Sequence, residues 1–275
     1  MKNLLAIENV NFTYSKGKPN AYVIKDFSLK NISFVINEGD FITIIGKNGS
    51  GKSTLVKLIS KILIGYTGNI FYKEQEIHSI DRKGFSRDVS YLPQITTTFN
   101  EDLIVKELLL LGRYSHKKFT DFTFSEEDKR IVEESMNETS INFLADKRFY
   151  ELSGGEKQKV LITLSLVQLD ITKNPEGKIL IIDEPLTYLD INYQFEIFKI
   201  LKRLREKKLT IIIVIHDLNL ALRFSSKTIL IDNGMVIKYS KTQEVITEEM
   251  LRQHFLINSK IMHYEKNYFI NYLPN

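Results

Sequence analysis

The chain has 275 residues and no cysteine, which excludes disulfides, thiolate metal ligands and cysteine nucleophiles. Hydrophobic residues make up 43% and charged residues 26%, enough apolar side chain for a packed core and no sign of disorder. The net charge of +4 is spread without a dense Lys/Arg run, which points away from nucleic acid, and the five histidines lack metal-ligand spacing.

The first residues, MKNLLAIENV, lack a signal-peptide core and cleavage site. No apolar run approaches the roughly 18 residues needed to span a bilayer. The longest candidate, LTIIIVIHDLNLAL, is interrupted by His216 and Asp217. Any membrane role is therefore expected from the water side.

In chain order, the first forty-five residues are β-rich. AYVIKDFSLKNISFVINEGDFITIIG alternates apolar and polar residues, with turn residues at Asn37 to Asp40. Phe41 to Ile45 form a continuous apolar run, as expected of a strand buried on both faces. Tyr14, in NFTYSKG, could stack on an adenine ring or simply pack near a strand end.

GKNGSGKST, Gly46 to Thr54, fits the phosphate-loop pattern, with Gly46, Gly51, Lys52 and Ser53 at the required offsets. Glycines let backbone N–H groups turn toward phosphate oxygens, and the following helix presents its positive end. Lys52 would reach the β- and γ-phosphates and the Ser53 hydroxyl would ligate Mg²⁺. STLVKLISKILIG has helical spacing ending at Gly65, and NIFYKEQEI and RDVSYLP read as short strands.

Near Gln94 the composition changes, and VKELLLLGRY and SEEDKRIVEESMNETSINFLAD predict helices, the second starting near Ser125. A neutral amide at Gln94 could ligate Mg²⁺ or orient water. ELSGGEKQKV is a second glycine-rich helix start, a capping box of Ser153 with Glu156, and helix initiation alone would account for it.

From Ile179 the α/β alternation returns. KILIIDEP delivers Asp183 and Glu184 to the C-terminal edge of a buried strand, where ligands bind in open α/β sheets. Asp183 would hold the Mg²⁺ hydration shell and Glu184 would polarise the attacking water. INYQFEIFKILKRLREKK is an amphipathic helix, LTIIIVI a strand closed by His216, and DLNLALRF a helix. KTILIDNGMVIKYS is a hairpin turning at Asn233-Gly234, and HFLINSKIMHYEKNYFINYLPN reads as further short strands. The fold class expected is α/β, a mostly parallel core sheet with a helical insertion.

Taken together, these pieces resemble the ATPase subunit of ATP-binding-cassette (ABC) transporters. Tyr14 matches the aromatic loop. Gly46, Lys47, Asn48, Gly49, Ser50, Gly51, Lys52, Ser53 and Thr54 match Walker A. Gln94 matches the Q-loop, and Leu152 with Ser153, Gly154, Gly155 and Glu156 the signature motif. Ile179 to Glu184 match Walker B, Leu189-Asp190 the D-loop and His216 the switch histidine.

The resemblance implies a P-loop NTPase ABC cassette with an N-terminal antiparallel β-subdomain and an inserted α-helical subdomain. Residues 1–94 and 166–250 would form the nucleotide-binding core, 95–165 the helical signature subdomain and 251–275 a short extension. ATP and Mg²⁺ are the implied ligands. Glu184, His216, Gln94 and Lys52 would be catalytic, and Ser53, Gln94 and Asp183 would serve the metal. Tyr14, Gly46 to Thr54, Ser153 to Glu156 and Asp190 would contact nucleotide. Two copies would pack head to tail, each ATP lying between the Walker loops of one and the signature helix of the other. The helix start at Ser153 would then supply amides to the other copy's γ-phosphate. The implied partners are transmembrane permease subunits and, indirectly, a substrate-binding protein; no nucleic acid is implied. The place of work would be the cytoplasmic face of the membrane.

Some positions depart from the family pattern. Glu156 replaces the commoner glutamine, KQK stands for RQR, Leu186 stands where threonine is frequent, and LDITKNPEGK is a long connection. LLLLGRYSH, EPLTYLDINYQ and VIHDLNLALRFSSKTILIDNGMVI resemble importers of iron–siderophore complexes, haem or cobalamin, with siderophore first. A non-transport ABC ATPase would carry a long coiled-coil insertion or tandem cassettes. A regulatory module without turnover would not need both Glu184 and His216.

Overall fold

A computed structural model of the chain describes residues 2–14, 28–94, 102–118, 123–186, 189–265 and 267–274. The strand reading of Ala21 to Phe27, the start of the helical insertion at 95–101 and Thr187-Tyr188 lie outside them. The elements from the N-terminus are β1 (Asn3–Thr13), β2 (Ser28–Asn37), β3 (Phe41–Ile45), α1 (Lys52–Ile59), β4 (Thr67–Tyr72), β5 (Gln75–Glu76), α2 (Arg82–Asp88) and β6 (Val89–Leu92). Then come α3 (Val105–Leu110), α4 (Glu126–Thr139), α5 (Gly154–Leu169), β7 (Ile179–Asp183), α6 (Ile191–Glu206), β8 (Thr210–Val214) and α7 (Leu218–Phe224). The last are β9 (Lys227–Asp232), β10 (Met235–Lys241), α8 (Thr242–Val245), α9 (Glu248–Met250), β11 (Ser259–Tyr264) and β12 (Asn267–Tyr272). Contacts divide the chain into two units, 1–79 with 212–275, and 80–211.

In the first unit, β2, β1, β4 and β5 form an antiparallel sheet in that order. Leu29, Ile32, Phe34 and Ile36 of β2 are buried while intervening residues are not, as expected when one sheet face covers a core. β3 is buried along its whole length and pairs in parallel with β9. β9 turns into β10 through Asn233 and Gly234, with φ of 48° and 77°, the left-handed pair that a two-residue hairpin turn demands.

α1 ends at Ile59, short of Gly65. Lys61 adopts a φ of 59°, and the N–H groups of Ile62 and Leu63 both donate to Lys57 O at 3.0 Å. That is a Schellman-type stop. Ile62 and Ile64 continue the helical spacing in sequence but lie exposed beyond the stop.

In the second unit, β6 and β7 pair in parallel, and β7 is buried throughout. Arg87 and Asp88, read in sequence as the start of a strand, close α2 instead. That helix is started by the Asp81 carboxylate, which accepts from Gly84 N at 2.8 Å. α4 starts after Ser125, as the sequence predicts, and the structure adds a capping box between Ser125 and Asp128. After α3 the GRYSH stretch tightens into a 3₁₀ turn lying on α5. Gly112 allows that approach, because a Cβ there would sit 2.9 Å from Leu164 O.

Arg113 follows, only 4% exposed. It donates to Asp128 Oδ1 at 2.8 Å and Val167 O at 3.1 Å, with Asp170 Oδ2 at 3.4 Å. His116 Nε2 lies 2.7 Å from Gln168 O. Burial is the main cause holding the His116 pKa below its ordinary value.

β8 carries the chain from the second unit to the first and is buried throughout. In the tail, Leu251–Phe255 is π-helical, and strands begin only at Ser259. Among the described residues no helix is long and apolar enough to cross a membrane.

Candidate functional site

In the first unit, β3 leads into the loop Gly46 to Gly51 and α1 follows directly. Gly46, Gly49 and Gly51 have φ of 153°, 77° and 112°, conformations that side chains resist. At Gly46 a Cβ would also overlap Ile231 O and Ser50 Oγ. Ser50 N donates to Lys47 O at 3.1 Å, closing the loop on itself. Lys52 is 4% exposed, and its Nζ donates to Gly46 O at 2.9 Å and Lys47 O at 3.1 Å. The ammonium therefore lies over the loop.

α1 begins without a side-chain cap and without an acidic residue in its first turn. A helix start of that kind can present backbone N–H groups and its positive end to an anion. The Ser50 hydroxyl is buried and has no hydrogen-bond partner among the described residues. A bare helix start, an ammonium and an orphan hydroxyl in one loop fit a polyphosphate. The exposed Lys47, Asn48 and Gly49 form the outer rim.

Tyr14 stands near this loop, its hydroxyl sharing a 3.3 Å hydrogen bond with Thr54 Oγ1. Phe12 holds the Tyr14 ring edge-on at 5.0 Å, and the ring is 41% exposed. His216 is exposed just beyond β8. The adjacent Asp217 starts α7 by accepting from Asn219 N and Leu220 N at 2.8 and 3.1 Å.

In the second unit, Asp183 ends β7 and is 3% exposed. Tyr91 of β6 donates its hydroxyl to Asp183 Oδ2 at 3.1 Å. Sequence reasoning missed Tyr91; its only signal was a polar-tipped aromatic in a strand beside the acidic one. Glu184 has a φ of 49°, a left-handed conformation costing a non-glycine residue about 1–2 kcal/mol. Gln94 Nε2 donates to Glu184 Oε2 at 3.1 Å, which brings together two candidates distant in sequence. Of the donors expected for Mg²⁺, the second unit holds a buried carboxylate (Asp183) and an amide oxygen (Gln94). Such hard oxygen ligands fit that hard cation.

Ser153 caps α5 in the box the sequence predicts. Its N–H and hydroxyl both donate to the Glu156 carboxylate, and Glu156 N returns a bond to Ser153 Oγ. Chiefly through the Ser153 N–H bond, the Glu156 carboxyl is held below its ordinary pKa. The Ser153 and Glu156 amides are thus engaged inside the cap. Those of Gly154 and Gly155 are the ones a helix start leaves facing outward.

Gly155 is pressed against the Tyr193 ring, which a Cβ would overlap, and Gly154 lies near Leu189. Asp190 starts α6 by accepting from Tyr193 N at 3.0 Å. The signature glycines and the Leu189-Asp190 pair therefore form one packed cluster. Tyr193, also missed in sequence, is its centre.

The family model for ABC transporters matches residues 29–187. The iron(3+)-hydroxamate import ATP-binding protein FhuC of Bacillus subtilis is 37% identical over 85% of this chain and 84% of its own length. The ferric enterobactin transport ATP-binding protein FepC of Escherichia coli is 34% identical over 85% of this chain and 83% of its own. The dimeric structure of MJ0796, a bacterial ABC transporter cassette, superposes with a TM-score of 0.69 at 25% identity, over 87% of this chain and 99% of that one. With the phosphate loop, the Asp183-Glu184 strand end and the capped LSGGE helix all formed, this chain belongs to the ABC transporter family and is an ATP-hydrolysing cassette of it.

Proposed function

We propose that the chain is the energy-coupling subunit of an importer for iron(III)–siderophore complexes. It works as a homodimer with permease subunits at the cytoplasmic face of the membrane. The observation that carries ATP use is the bare start of α1 beside the orphan Ser50 hydroxyl and the Lys52 ammonium. The cargo is supported by the relatives, whose names specify iron(3+)-hydroxamate and ferric enterobactin.

Lys52 and the Gly46–Thr54 amides bind the β- and γ-phosphates, and Tyr14 stacks on the adenine. Ser53, Asp183 and Gln94 would hold Mg²⁺, which would neutralise phosphate charge. Glu184 orients the attacking water and accepts its proton. His216 donates a hydrogen bond to the γ-phosphate. The N–H groups of Gly154 and Gly155 from a second copy close on the same phosphate, and Asp190 supports that helix start. The helical stretch 95–165 forms the subdomain that carries this signature and, with Gln94, faces the permease. Residues 1–94 and 166–250 form the nucleotide-binding core.

The test is uptake by vesicles holding the permease and this chain, energised with internal MgATP, offered ferric hydroxamate, ferric catecholate, haem and cobalamin in parallel. ATP-dependent accumulation of a ferric siderophore is expected. Accumulation of haem or cobalamin alone overturns the cargo; no phosphate release with any permease overturns the coupling role.

A further inference from the structure

Behind the phosphate loop, within the first unit, lies the Asn233-Gly234 turn between β9 and β10. Gly234 N donates to Ser50 O at 3.0 Å. Gly234 O accepts from Lys30 N of β2 at 2.8 Å. Gly234 also has a φ of 77°, and a Cβ on it would overlap Ser28 O. Gly46, at the other end of the loop, lies so close to Ile231 O that no Cβ fits. The stretch Ile231 to Gly234 thus touches both ends of the phosphate loop.

A trans peptide points its C=O and N–H in opposite directions. Fixing the Ser50 carbonyl onto Gly234 therefore turns the Gly51 N–H away from the turn. The first donors of a phosphate-binding helix start are aimed from outside the loop. The turn is itself anchored. Asp232 Oδ2 lies 2.9 Å from His254 Nδ1, and His254 belongs to the π-helical segment that precedes the β11–β12 hairpin.

We propose that the Asp232–Gly234 turn is a positioning element for the phosphate loop, and that the C-terminal segment sets nucleotide affinity through the His254–Asp232 contact. This rests on reading Gly46 to Thr54 as the nucleotide site. Neither Asp232 nor His254 touches nucleotide in that reading; both act through Gly234 and Ser50.

The experiment uses the full-length chain and its His254→Ala, Asp232→Asn, double and His254→Gln variants. Fluorescent ATP titration gives affinity, steady-state phosphate release gives KM and kcat, and hydrogen exchange follows the Ser50 to Lys52 amides. Both single variants are expected to weaken ATP binding about three- to tenfold and raise KM in proportion, with kcat nearly unchanged. The double variant is expected to be no worse than either single one, and His254→Gln, which keeps a side-chain donor, to restore much of the affinity. Exchange at the Ser50 to Lys52 amides is expected to quicken. If affinity and loop exchange stay at wild-type values while only the melting temperature falls, the contact is structural and the proposal is overturned. Wild-type protein that fails to bind ATP overturns the reading of the site instead.

Discussion

Ser153 gives Glu156 Oε2 two hydrogen bonds, from its N–H at 2.8 Å and its hydroxyl at 2.9 Å. Where the family more often has glutamine, the carboxylate is thereby turned back onto the cap. Its pKa is lowered, first by the Ser153 N–H, then by the hydroxyl, Lys147 and Lys159, against a partial burial that raises it. A depressed carboxyl stabilises the fold fully above its unfolded pKa and loses that stability as pH falls through the folded value. Below about pH 4.5 the wild-type cap should therefore weaken. Glu156→Gln keeps an acceptor without the charge, so its melting temperature should vary less over the acid range. Near neutrality it should lie within about 1 kcal/mol of wild type, because the group is only partly buried and solvent screens its charge. Melting curves of both proteins from neutral to acid pH check this.

A different penalty is expected at Arg113, which lies between Asp128 and Asp170 in the interior of the second unit. Burial alone would raise the Asp128 pKa, but the bonds from Arg113 and Ser125 outweigh it and hold the group low. Arg113→Met removes the cation and leaves two buried carboxylates. Its cost should be about 3–5 kcal/mol, the range for breaking one side of a buried pair. Arg113→Lys should restore little, since an ammonium cannot reproduce a planar fork that also serves Val167 O. Urea unfolding of the three proteins measures it.

The sequence made the chemistry legible more readily than the boundaries. Phe41–Ile45 and Ile179–Asp183 were visible because a strand buried on both faces must be apolar throughout. Ser153 and Asn233-Gly234 were visible because a cap and a tight hairpin each demand particular residues. The end of α1 was not, because its apolar spacing runs past the residue, Lys61, whose backbone stops the helix. Nothing in GRYSH marks Arg113 as buried, because Asp128 and Asp170, which enclose it, are brought near only by folding. Tyr91 and Tyr193 escaped notice for the same reason. Each acts on a residue that only folding brings near.

Tyr193 sets a constraint on the signature glycines. Gly155→Ala would drive a Cβ into its ring. The expected loss is about 1–3 kcal/mol, typical of overpacking. Tyr193→Ala in the same chain should recover much of it, giving a favourable coupling in a double-mutant cycle. Chemical denaturation of the four members of that cycle provides the numbers.

On the proposed reading Lys52 both shapes the loop and binds phosphate. Its Nζ bridges Gly46 O and Lys47 O within the loop itself. Lys52→Ala should therefore loosen the loop and abolish detectable ATP binding together. Calorimetric titration with MgATP, alongside amide exchange at Gly46 to Ser50 without nucleotide, should show both losses. Tight binding by the variant would remove Lys52 from the site.

Glu184 is held in a left-handed conformation at the end of a buried strand, and its carboxylate accepts from Gln94 at 3.1 Å. Glu184→Gln preserves size and one acceptor oxygen, so the strand end should fold as before. On the proposed reading, the change removes the negative charge that orients water and takes its proton. Phosphate release should fall by about 10²- to 10⁴-fold, the range for losing a general base. ATP affinity should persist, because the phosphate loop is untouched. If closure of two copies depends on bound ATP and reopening on its hydrolysis, the variant should accumulate as a dimer under saturating MgATP. Size-exclusion chromatography with light scattering reads the dimer, and single-turnover phosphate release reads the rate. Near-normal turnover would assign the base to another group. Slow turnover without a dimer would leave Glu184 its role and remove the paired-cassette arrangement.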